Sequence, residues 1–181
     1  MINKLHAFMD KQKRALEMLF RDGPGMAYLM VLYATIDTMG FITAENEADP
    51  VNSRFRAFAK KYLVPYLQGD VNEDDLWGAR CAILHTATPE SNYSRQGRAR
   101  QILYSCGVEK SLCERVISAH ATPHRYVAVS LEKLRDSLLA AYVTLINEME
   151  TNPALRQRWL DRVNRLYVYV PDMRPKEKTE N

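Results

Sequence analysis

The chain has little cysteine. Cys81, Cys106 and Cys113 are its three, an odd count in which no two have CxxC spacing. This argues against a disulfide-stapled scaffold and suits reduced thiols in the cytoplasm. Cys106 and Cys113 with His120 and His124 lack a usual zinc spacing, so neither a metal nor another cofactor is expected. An excess of one charge is also missing: 25 Lys and Arg stand against 22 Asp and Glu, a net of +3. That is too little to draw nucleic acid by charge alone. The opening MINKLHAFMDKQKR contains no apolar core of signal-peptide length. The most apolar early run, MAYLMVLYATIDTMGF, is interrupted by Asp37 and falls short of a bilayer span, so no membrane partner is expected. Internal repeats and interdomain linkers are absent as well.

What is present is enough apolar sequence for one substantial core in 181 residues. Residues 1–170 read as one helical domain, and 171–181 (PDMRPKEKTEN) as a flexible polar tail. Ile2, Leu5, Met9, Leu16 and Leu19 recur at helical spacing, which predicts a helix over 2–21 ended by Gly23-Pro24-Gly25. A more buried helix should follow over 26–39, with a connection from Gly40 to Glu47. Asp49-Pro50 looks like an N-cap with proline at the first helical position, and Pro65 and Gly69 mark the end of that helix. Asn72 with Asp75 three residues later resembles a capping box for a helix over 73–85. Ser130 caps a helix over 131–150 whose stripe of Leu131, Leu134, Leu138, Tyr142, Leu145 and Met149 suits a core or a dimer seam. Asn152-Pro153 starts a last helix to Val168, with Leu155, Trp159, Val163 and Leu166 inward. Gln101–Tyr104 and Tyr126–Val129 are rich in strand formers and are expected to pair as a small antiparallel β-hairpin around a long excursion, a helical alternative staying open. The fold class is therefore all-α, an antiparallel helical bundle with a small β-hairpin insertion.

Arg80 lies inside the apolar stripe of the 73–85 helix, between Leu76, Ile83 and Leu84. A guanidinium keeps its proton, so burial demands an acidic side chain, a backbone carbonyl or a bound phosphate. His85 lies about 140° around that helix and about 7.5 Å further along it, so the two side chains do not share a face. An imidazole there can accept or donate a proton. Two such helices meeting in a symmetric dimer would bring both pairs to one cleft.

The stretch LWGARCAILHTATPESNYSRQGRARQILYSCG, residues 76–107, resembles the HEPN superfamily, in particular a bacterial branch with an LHT-TPES continuation. Arg80 and His85 match that family's motif of arginine, four to six residues, then histidine. The resemblance covers about 30 residues closely and the rest as a helical bundle of suitable size. It implies a homodimer and a metal-independent endoribonuclease of defence or toxin–antitoxin biology, with a neutralising protein partner. Arg80 would hold the scissile phosphate and His85 would move the proton of the RNA 2′-hydroxyl. Cys81 departs from the pattern: active members often carry asparagine or aspartate directly after the arginine. The alternative is a non-catalytic HEPN-like module that binds RNA or protein.

The basic run Ser94–Arg100 contributes Arg95, Arg98 and Arg100 as candidate phosphate contacts, with Tyr93 as a base-stacking surface. An exposed turn is the plain alternative for this run.

Overall fold

Apolar side chains at helical spacing make the first element, α1 (Asn3–Arg21), amphipathic, with Met9 and Leu16 buried. The computed structural model describes residues 3–21, 23–67, 71–107 and 110–163. The predicted end of the last helix, with Leu166, and the polar tail lie outside the described residues.

The centre of the core is α2 (Met26–Thr43), which buries Tyr28, Leu32, Tyr33, Ile36, Met39 and Ile42. By length and composition it could cross a membrane; here α1 and the helices Val51–Phe58, Glu73–Thr86 and Pro153–Val163 pack around it. It runs straight through Gly40, where a connection was expected. A Cβ at Gly40 would lie 3.0 Å from the Arg54 carbonyl oxygen, so glycine serves close helix packing there rather than a turn.

The next helix, α3 (Val51–Phe58), begins one residue later than the Asp49-Pro50 signal suggests, with Pro50 itself at the N-cap and no side-chain cap. It winds on through a π-turn over Ala59–Leu63 and a 3₁₀ turn over Val64–Leu67. After it comes α4 (Glu73–Thr86), whose start is the predicted capping box: Asn72 Oδ1 accepts from the Asp74 and Asp75 amides, and Asp75 Oδ2 accepts from the Asn72 amide. A single turn, α5 (Asn92–Arg95), follows the break after α4.

Two short strands, β1 (Gln101–Ser105) and β2 (Tyr126–Ser130), form a two-stranded sheet. They run parallel, with Gln101 opposite Tyr126 and Ser105 opposite Ser130, which corrects the expected antiparallel hairpin. Parallel neighbours need a long crossover rather than a tight turn. The excursion between them supplies one, and α6 (Lys110–Ser118) lies within it.

Ser130 ends β2 and caps α7 (Leu131–Thr151) by accepting from the Lys133 amide. The apolar stripe of α7 is used within the protomer: Leu131, Leu134, Leu138, Leu145 and Met149 are all buried. Each such side chain contributes about 1.5–3 kcal/mol of burial, which makes α7 a main support of the bundle. Asn152 Oδ1 then accepts from the Leu155 amide to start α8 (Pro153–Val163). Arg162 of α8 is buried, and its Nη1 donates to the carbonyls of Phe41, Ile42 and Ala44. It thus satisfies acceptors that the end of α2 would otherwise leave bare. The molecule is a mostly helical bundle carrying a small two-stranded sheet.

Candidate functional site

Arg80 sits on the face of α4 that packs against α2. Its Nε donates to Asp37 Oδ2 at 2.9 Å, and its Nη2 donates to the same oxygen. The two side chains are 11% and 20% exposed, so the pair is largely removed from water. The Trp77 ring supports the guanidinium from one turn earlier, 5.1 Å from Cζ to ring centroid, and itself packs against Phe55. Asp37 Oδ1 is buried and makes no hydrogen bond.

The other side of the guanidinium meets His85: Nη1 lies 2.8 Å from His85 Nε2. Arginine offers only donors, so Nε2 accepts and the neutral ring carries its proton on Nδ1. Arg80 and His85, about 140° apart around the helix, therefore meet within one protomer. Helical side chains lean toward the N-terminus, which brings the imidazole back toward residue 80, and the long arginine stem closes the remaining gap. Asp37 was missed as a site residue. Its one legible signal was a carboxylate within an otherwise apolar helix.

His85 is exposed and lines an open groove of about 430 Å³ together with Trp77, Cys81, Tyr93, Arg95 and Gln96. Burial pushes the Cys81 thiol up, partly offset by the charge of Arg80 and a hydrogen bond to it, so the group stays a neutral thiol. Of the predicted contact residues, Tyr93 and Arg95 share this groove with His85. The Tyr93 hydroxyl donates to Asp74 Oδ1 at 3.1 Å, and Asp74 also pairs with Arg56 at 2.5 Å. Burial and the bond to Asp74 raise the Tyr93 hydroxyl above its usual range. Arg98 lies over the Tyr93 ring, 5.8 Å from its centroid.

Arg100 has a different position. Its amide donates to Asp75 Oδ1 at 2.7 Å, and its Nε and Nη2 donate to Asp75 Oδ2 at 3.1 and 2.6 Å. Asp75 is buried, so Arg100 both neutralises it and ties the lead-in of β1 to the start of α4. The segment between is seated on α4 at Gly78, where an added Cβ would come 2.8 Å from the Ala99 Cβ.

Comparison with known proteins finds no matching family model, no matching curated protein and no matching solved structure.

Proposed function

We propose that the protein is a metal-independent endoribonuclease of the HEPN type, cytoplasmic and active as a homodimer. The observation that carries this reading is the 2.8 Å contact between Arg80 Nη1 and a neutral His85 beside an open groove. Asp37 fixes the guanidinium from one edge, so its charge is held in place before any ligand arrives. In the proposed reaction, His85 of one protomer takes the proton of the RNA 2′-hydroxyl. The 2′-oxygen bonds to phosphorus, the bond to the 5′-oxygen breaks, and the leaving oxygen receives that proton back from the imidazolium so formed. Arg80 neutralises charge that builds on the phosphoryl oxygens. The products are a 2′,3′-cyclic phosphate and a free 5′-hydroxyl. Arg95 and Arg98 supply phosphate contacts around the groove, whereas the charge of Arg100 is spent on Asp75.

The test is cleavage of single-stranded RNA in the presence of a chelator, by wild type, R80K and H85A at matched helical content. Wild type should cut RNA and spare DNA of the same sequence, which lacks the nucleophile. Both variants should lose at least about a hundredfold in rate. Residual cutting that is equal in all three, or a protein that sediments as a monomer at micromolar concentration, would overturn the reading.

A second reading draws on Asp37 and Cys81: the guanidinium is already paired within the protomer, and a half-buried thiol follows it. In that case the groove belongs to a non-catalytic module that binds RNA or a neutralising protein partner. RNA retarded in a gel without any product would favour it.

A further inference from the structure

We infer that the groove beside His85 is a subsite for one unstacked nucleobase, read by the carboxamide of Gln96 against the ring of Tyr93. The nature of the ligand rests on the RNA-cleaving reading; the recognition chemistry rests on the walls of the groove. Most of the polar groups lining it are already engaged. Thr86 and Thr88 bond to each other at 2.7 Å, and Thr88 donates to the Glu90 carbonyl. Ser91 and Ser94 cap each other reciprocally. Glu90 Oε1 accepts from Gln101, and Asn92 Oδ1 accepts from Arg95.

Gln96 differs. Its backbone amide closes the α5 turn on the Asn92 carbonyl, while its exposed side chain makes no hydrogen bond among the described residues. A carboxamide presents a donor and an acceptor side by side, the pattern that matches the edge of a base. Tyr93 supplies the flat surface, which a base takes by displacing the exposed Arg98 guanidinium that lies over the ring. It is held by its hydroxyl on Asp74, and its Cδ1 lies 3.9 Å from where a Gly78 Cβ would be, so the ring is anchored against α4. Such a fixed ring favours stacking because little side-chain entropy is lost on binding. The same groove includes His85, so a base lodged in it belongs to a nucleotide whose ribose and phosphate reach the Arg80–His85 pair. Paired bases cannot enter, which restricts the site to single strands, loops and bulges.

The experiment titrates the full-length protein calorimetrically with the 3′-monophosphates of adenosine, cytidine, guanosine and uridine, and with ribose 5-phosphate as the base-free control. The nucleotides should bind about tenfold or more tighter than the control, and one base should be preferred. Gln96→Leu should level that preference, and Tyr93→Ala should weaken all four while leaving the control unchanged. Equal affinity for nucleotides and control, no binding of any, or a preference that survives Gln96→Leu would each overturn the subsite. Base-dependent binding by a protein that never cuts RNA would keep the subsite and reject the catalytic reading. Cutting without any base dependence in binding would do the reverse.

Discussion

Arg80 Nε donates to Asp37 Oδ2 at 2.9 Å, which joins α4 to α2 through the single carboxylate of an otherwise apolar helix. Both side chains are mostly buried, so removing one leaves the other as an uncompensated charge. Arg80→Ala and Asp37→Ala should each cost about 3 kcal/mol in urea unfolding. The double variant should cost at least about 1 kcal/mol less than the sum. Additive losses would show that the two groups are not coupled.

Arg100 and Arg95 lie in one basic run but should answer differently to alanine. Arg100 is committed to buried Asp75 by its amide and its guanidinium, so Arg100→Ala should destabilise the fold by about 2 kcal/mol. Arg95 is exposed, and Arg95→Ala should stay within about 0.5 kcal/mol of wild type. Thermal melts of the two variants measure the contrast; equal losses would contradict it.

Gly78 and Ala87 are the two backbone positions on α4 where a methyl group decides the sign. Gly78→Ala gains about 1 kcal/mol of helix propensity. However, it places a Cβ 2.8 Å from that of Ala99, a contact the structure can relieve only by shifting the segment, so a net loss is expected. Adding Ala99→Gly should recover part of that loss. Ala87 has φ of 50° at the C-cap of α4, a conformation that glycine adopts freely. Ala87→Gly should therefore raise stability by about 0.5 kcal/mol, the relief of left-handed strain less the entropy of the freer unfolded chain.

Glu148 gives the fold an acid-sensitive contact. Burial alone would raise its carboxyl, but hydrogen bonds from Lys61 and Tyr62, both at 2.6 Å, outweigh it and hold the group below its ordinary 4.5. A folded-state value below the unfolded one means that the stabilisation is present above pH 4.5 and disappears as the pH falls through the lowered value. Wild type should exceed Glu148→Gln in stability by less than about 1 kcal/mol near neutrality, since Lys61 is well exposed. The difference should vanish in acid; a gap that persists well below that range would reject the assignment.

Much of the local structure was legible because its causes are local. The Asn72–Asp75 capping box, the Ser130 cap and the strand-forming residues of β1 and β2 each depend on groups a few residues apart. The direction of strand pairing was not, because parallel and antiparallel partners share the same composition, and the choice rests on how the crossover containing α6 packs. Tyr33 and Tyr104 show the same limit. Their hydroxyls meet at 2.7 Å between α2 and β1, a contact across 71 residues with no counterpart in the chain's spacing.

By itself the sequence determined where most helices begin, that the chain is chiefly helical, and that Arg80 needs a partner, since periodicity, capping and a permanent charge are properties of neighbouring residues. Only the tertiary structure decided that Asp37 is that partner, that His85 reaches the same guanidinium, and that Arg100 belongs to Asp75. Those choices depend on which helix faces pack together, and packing brings together groups far apart in the chain.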